Sequence, residues 1–595
     1  MTDKASDGRT SSSKRQKNDT TDGRAPIRIL GLGGKNVSMA AKSAILKELK
    51  GLRYIPENLA ISSRTIARAR KEVAQRTTPF GRLLIYKTFS TTDGDLVLPV
   101  QNPLAMLYVA MAESDRYSDR VRRALANYGP PSDDAPWTIA IYVDEVTCGN
   151  PLAVRSDARR KVEGVYWALY QLGAESLSDE SCWFELAAFQ TCTIRTFVGT
   201  VSHLLDVCLS CFFDAQGHDA RCGLSCFVKG YGKLMLTLAV EMLIADIAAL
   251  CEAIGAMGVS GTLPCFLCRR VLSWRSQSNP QIAALTDFCD LSSLDQSKWG
   301  KHTNASLLKV LTDLKDVAAT GDTKTLERKQ TLCGYKHVPG NFLTNPLTIQ
   351  FPLRVIMMDW MHLFFQSGNW NREVMRTLLA ATSRTLNAYE LMSTYVDAFV
   401  FPHNESSAKS LFSPAHWESC KSAKPPMFKG TASDGLTLYA VIGKFFQDVL
   451  LSRLAGTARC DEVTRMVTSY HRLCECVDLV QLSKFGNSVC PDLLDRTIGA
   501  WRLAHAVAYG TSLTYLKTHL TSHLPDVLRA RGRDEHRKRL AMLIACWALD
   551  LMCIHTKMDT AVLAWILPIY AVSFLHLCTK GTSPPSHSTI RHRSA

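Results

Sequence analysis

Residues 137–143 read WTIAIYV, an uncharged run rich in aromatic and β-branched side chains. The run predicts a buried strand that ends at Asp144-Glu145. Around it, apolar positions recur at helical spacing. They predict mainly helical structure over 155–175 and 183–212, and a long apolar helix over 233–255 that contains Asp246. Residues 275–350 are polar and read as loops. From about 355 to 530 the pattern is helical nearly throughout, with breaks at Pro402, Pro425-Pro426 and Gly486. Upstream, 39–49 and 63–75 read as two helices, the second capped by Ser62 or Ser63. The Pro-rich stretch 130–136 is a linker. Residues 1–26 carry too few apolar side chains to fold, and no internal repeat is present.

Charge narrows the function classes. The 595 residues hold 69 Lys+Arg against 54 Asp+Glu, a net +15. That surplus suits a polyanionic partner, nucleic acid first, although a soluble basic protein shows it too. In the second N-terminal helix, SRTIARARKEV, Arg64, Arg68 and Lys71 share one face. A short basic helix following a helix and a turn suits the DNA major groove; a solvated amphipathic face is the other reading. Lys14, Arg15 and Lys17 fit a nuclear-import signal or an ordinary solvated tail. The 18 uncharged residues 561–578 just reach bilayer-spanning length, but Pro568 and His576 weaken that reading and a buried C-terminal helix is the plainer account.

The 20 cysteines are irregularly spaced and no apolar leader opens the chain, which favours a reducing compartment over a disulfide framework. Cysteine pairs therefore read as metal-ligand candidates. Cys265-Phe-Leu-Cys268 follows Gly261 and Pro264, so a turn can aim both thiolates at one zinc ion. Partners to complete the site are His302 first, then His362, with Cys333 and His337 also in reach of the argument. Cys208 and Cys211 lie in an apolar helix and read as core. His519 and His523, at i, i+4, have metal-binding spacing but read more simply as two structural histidines. Asp359 and His362, at i, i+3 among apolar neighbours, need each other or a metal. Asp144, after a buried strand, is a site for a rigidly held metal ligand. No Walker A, GxSxG or HExxH sequence occurs, and GLGGKN at 31–36 follows no convincing strand.

In chain order these elements are Asp144 after a strand, Asp246 in LIADIAAL, SGTLPCFLC, DWMHLFFQSGN and KTHLTSHLPDVLR. The series resembles the transposases of CACTA (En/Spm) type DNA transposons over roughly 137–539. The resemblance implies an α/β core of RNase H-like fold with a large, mainly helical insertion, predominantly α overall. It implies a catalytic triad of Asp144, Asp246 and Glu535, the last in RDEHRKR. It further implies two Mg²⁺ or Mn²⁺ ions for DNA strand cleavage and transfer, and a structural zinc on Cys265 and Cys268 with His302 or His362.

The implied division is a disordered basic tail at 1–26 and a helical region with a candidate helix-turn-helix at 27–130. The first part of the core follows at 137–260 and the insertion at 261–530. A degenerate end of the core with an apolar helix fills 531–580, where the family's core normally continues. DNA is the expected partner, with a homo-oligomer also open, and the nucleus the expected location. Two alternatives stand beside an active enzyme. One is a decayed or truncated copy that binds DNA or serves as a zinc-stabilised interaction protein without catalysis. The other is a membrane protein anchored by 561–578.

Overall fold

Trp137–Thr147 (β1) is the centre of a five-stranded sheet. The strand runs four residues beyond Val143, so Asp144 and Glu145 lie within it. The computed structural model describes residues 75–530 except 148–160, 178, 215–216, 274–286, 384, 402–410 and 486–487. Arg64, Arg68, Lys71, Glu535 and the segment 561–578 lie outside the described residues, as do the tail and both N-terminal helices up to residue 74. No described helix is long and apolar enough to cross a membrane.

The other strands are Lys161–Leu169 (β2), Phe184–Gln190 (β3), Leu238–Ala245 (β4) and Ile356–Met358 (β5). The order is β5-β4-β1-β2-β3. β1, β2 and β3 pair antiparallel, and β4 and β5 add parallel to β1. Four of the five strands fall where helical spacing is predicted. The reason is burial: Val165–Leu169 on β2 and Met242–Ala245 on β4 are buried on both faces. Such strands lose the alternation that marks a half-exposed strand and read as continuous apolar runs.

Thr200–Phe213 (α1) covers the sheet, with Phe212 edge-on to Trp167 at 4.8 Å. Ile247–Ile254 (α2) follows β4 directly. The expected helix over 233–255 is therefore a strand end, a strand and a helix. The 275–350 stretch, read as loops, holds two helices, Asn304–Ala319 and Thr323–Cys333. Their mostly exposed, polar surfaces hide the pattern. Before β1, two β-hairpins precede the helices Pro103–Glu113 and Asp115–Tyr128, so 27–130 is not wholly helical.

Beyond β5 the chain is helical, as the pattern predicts. Trp360–Phe364 (α3) and Asn369–Ala381 (α4) lead to the long helices Cys460–Gln481 (α5) and Pro491–Tyr509 (α6), then Leu516–Thr521 (α7) and Leu524–Arg529 (α8). Buried polar groups lock this layer: Trp370 Nε1 donates to the Tyr470 hydroxyl at 2.7 Å, and Trp501 Nε1 to Glu373 at 2.7 Å. Overall 54% of the described residues are helical, so the chain is mixed α/β and predominantly α.

Packing in this layer is tight enough to test. Gly435 lies in the helix Ala432–Phe445, and a Cβ there would meet the fully buried Phe365 ring at 2.6 Å. Gly435→Ala gains helix propensity of about 1 kcal/mol. It also overpacks a site that cannot yield, at about 1–3 kcal/mol. The expected result is a lower denaturant midpoint; an unchanged or higher midpoint would show that Phe365 repacks freely.

Candidate metal centre and acid row

The described residues hold two clusters of chemistry-bearing side chains. The first is the row of acids. Val143 on β1 pairs with Ala245 on β4, and Ala245 pairs with Met358 on β5. The next residue on each chain segment is an aspartate: Asp144, Asp246 and Asp359. Neighbouring strands lie about 4.8 Å apart, so in-register pairing sets the three acids side by side.

Each is held by its own hydrogen bonds. Asp144 is buried; its Oδ2 accepts from the Tyr142 hydroxyl at 3.0 Å and its Oδ1 from the Glu145 amide at 2.7 Å. Asp246 caps α2 by accepting from the Ala249 amide at 2.7 Å. Asp359, fully buried, accepts from the Met361 and His362 amides at 2.8 and 3.3 Å. Its other oxygen pairs with His362 Nδ1 at 2.9 Å.

Neighbouring charges act on several of these groups. Burial pushes the Asp144 carboxyl up to about 7; His362 opposes this, while Asp246 and Asp359 add to it. Glu163 faces Glu145 across the β1–β2 pair and is pushed up to about 8, by burial first and then by Glu252, Glu145, Asp246 and Asp144. His362 moves the other way. Burial alone would lower it, but Asp359, Asp144 and Asp246 outweigh that and raise it to about 9. The acids around it thus favour the imidazolium form. Lys517 on α7 donates to the carbonyls of His362 at 3.0 Å and Gln366 at 2.5 Å, beside this row. Burial lowers its ammonium to about 8, with Asp246 and Asp359 opposing and Arg372 assisting.

The second cluster is Cys265, Cys268, His519 and His523, all buried, with ligand atoms within 4.8 Å of one another. His523 Nε2 lies 3.6 Å from Cys265 Sγ and 3.2 Å from Cys268 Sγ; His519 Nε2 lies 3.5 Å from Cys268 Sγ and 3.2 Å from His523 Nε2. Tetrahedral zinc with bonds of about 2.0–2.3 Å needs ligand atoms about 3.3–3.8 Å apart, so the four can hold a metal such as zinc. No family model and no curated protein matches this chain. The geometry of these two clusters therefore carries the functional argument.

The cysteine turn is built for the role. The Leu267 amide donates to Cys265 Sγ at 3.4 Å, the His302 amide to the Leu267 carbonyl at 2.9 Å, and the Tyr335 hydroxyl to the Phe266 carbonyl at 2.5 Å. Burial opposes ionisation of Cys265, but the hydrogen bond with Cys268 and the charges of His523 and His519 hold its thiol well below the ordinary value. Asp526 accepts from His523 Nδ1 at 3.0 Å, which orients Nε2 toward the sulfurs. Trp299 covers His519 and His523, with ring centroids 4.5 and 5.3 Å away.

His302 and His362 do not complete this cluster. His302 contributes its amide to the turn, while its ring bonds Ser306 at 3.1 Å and packs on Tyr335. His362 is committed to Asp359. The histidines read as structural, His519 and His523, are the ones that join the cysteine pair. Their i, i+4 spacing is a visible signal, but their partners lie more than 250 residues earlier, beyond any local pattern. Cys208 and Cys211 are buried core residues on α1, as expected.

Proposed function

We propose that the chain acts on DNA phosphodiesters through an RNase H-like core, in the manner of the transposases its motifs resemble. Asp144, Asp246 and Asp359 are its three acids. The observation that carries the reading is the in-register row: three antiparallel strands followed by two parallel ones, with an aspartate next after Val143, Ala245 and Met358. Strand order and acid placement both support the RNase H-like assignment. In this reading Asp359 takes the third place for which the resemblance implies Glu535.

The donor set fits divalent cations. Carboxylates gathered in one row repel one another, and hard oxygen donors favour Mg²⁺ or Mn²⁺. When bound, such ions activate a water or a 3′-hydroxyl and stabilise the leaving oxygen in an in-line displacement at phosphorus. The chain's own residues prepare the site. Backbone amides and Tyr142 fix the carboxylate rotamers. His362 holds a proton beside Asp359 and Asp144 and offsets part of the negative charge. The Cys265–Cys268–His519–His523 cluster, read as a zinc clasp, ties the turn after α2 to α7 and so positions Lys517 against the segment that follows Asp359.

The partner proposed is DNA and the location nuclear. Supercoiled plasmid supplies the test. The purified chain should convert it to open circles only with Mg²⁺ or Mn²⁺ added, and Asp144→Asn should lose that activity. A wild-type chain that binds DNA but never nicks it would leave the decayed, non-catalytic reading in its place.

A further inference from the structure

On α4, Arg372 and Arg376 are one turn apart and share a face. Both guanidiniums gather on Tyr515, the residue that starts α7. Arg372 lies over its ring at 3.6 Å from the centroid and Arg376 at 5.3 Å, while Arg376 Nη2 donates to the Tyr515 hydroxyl at 2.7 Å. The remaining nitrogens are the unusual feature. Arg372 Nε and Nη1 and Arg376 Nη1 are shielded from solvent and have no hydrogen-bond partner. The acid between them, Glu373, turns instead to Trp501. Buried guanidinium nitrogens without an acceptor are costly and rare, and their fork geometry matches phosphate oxygens.

Lys517 extends the set toward the acid row. Two residues after Tyr515, its ammonium is held only by the backbone carbonyls of His362 and Gln366. Hydrogen bonds brace the arrangement. Thr518 donates to Asn369 at 2.7 Å and Asn369 to Thr521 at 3.0 Å, which joins α7 to the first turn of α4. Among the described residues none of these three cations has a carboxylate partner within ion-pair distance.

We propose that Arg372, Arg376 and Lys517 form a phosphate-binding track for the backbone of a DNA strand beside the acid row, with Tyr515 as the platform that holds the guanidiniums in place. Arg372, Arg376 and Lys517 are each only half-buried, and their N–H groups donate to phosphate oxygens in charge-assisted pairs. The track rests on the phosphodiester reading of the acid row for its purpose, and its contacts are sequence-independent.

Anisotropy titration of a fluorescent duplex oligonucleotide with the metal-loaded full chain, without added Mg²⁺ and at several salt concentrations, tests the track. Arg372→Gln, Arg376→Gln and Lys517→Gln should each weaken binding and each reduce the slope of log affinity against log salt by about one, the signature of one lost phosphate contact. Arg372→Lys, which keeps the charge, should retain most of the slope. Unchanged slope and affinity in the glutamine variants that keep wild-type metal content and far-ultraviolet spectrum would overturn the track. Lys517→Gln carries the test should a guanidinium variant fail to fold. The two readings separate cleanly. Arg372-dependent binding by a chain that never nicks DNA keeps the track and rejects the catalytic row. Nicking lost in Asp144→Asn, with unchanged slopes in the track variants, does the reverse.

Discussion

His519→Ala and His523→Ala should each abolish metal binding and lower the melting temperature, whereas His302→Ala should leave metal binding intact. Elemental analysis of the wild-type chain should find about one zinc per molecule, and each of the first two variants far less. The expectation follows from geometry. Four buried donors lie at separations suited to one tetrahedral ion, and His302 turns its ring to Ser306. A metal that binds only the folded chain stabilises it by about 4 kcal/mol when present at roughly a thousand times its dissociation constant. Removing one ligand forfeits most of that. It also leaves two buried thiols and an imidazole without their common partner. Chelation should therefore lower the melting temperature of the wild type and change the two variants little. Zinc retained in both variants would put the metal elsewhere.

Asp359→Asn should reduce DNA nicking by about a thousand-fold or more, comparable to Asp144→Asn, while Glu535→Gln should leave it nearly intact. Asparagine can still cap α3 through its side-chain oxygen, so the Met361 and His362 amides keep their acceptor. What the change removes is the charge facing His362 and the third oxygen donor of the row. A far-ultraviolet spectrum like the wild type would separate loss of chemistry from loss of fold. The opposite pattern, with Glu535→Gln inactive and Asp359→Asn active, would return the third place to the residue implied by the family resemblance.

Much of this was legible along the chain, and each miss has a physical cause. WTIAIYV reads as a strand because its side chains suit a pleated, buried surface. KVEGVYWAL and LAVEMLIA read as helix because strands covered on both faces carry no alternation. Ile356–Met358 is three residues long inside a helical stretch, too short for any period to register. That last miss has the largest consequence. Asp359 is visible as the partner of His362 from its spacing, but its place in a row of acids exists only through the register of β5. The metal cluster divides the same way. Each half, a Cys-x-x-Cys turn and an i, i+4 histidine pair, has a local signature, while their meeting is a tertiary fact. Proximity along the chain favours His302, and the fold favours α7.

Manganese binding to the acid row tests the central claim most directly. With the zinc cluster loaded and a duplex oligonucleotide present, electron paramagnetic resonance should show saturable Mn²⁺ binding to the wild-type chain. Asp246→Asn should weaken that binding at least about ten-fold, because the central acid of the row serves ions on either side. No saturable Mn²⁺ binding, or equal binding by wild type and Asp246→Asn, would contradict a catalytic metal centre at this row of three aspartates.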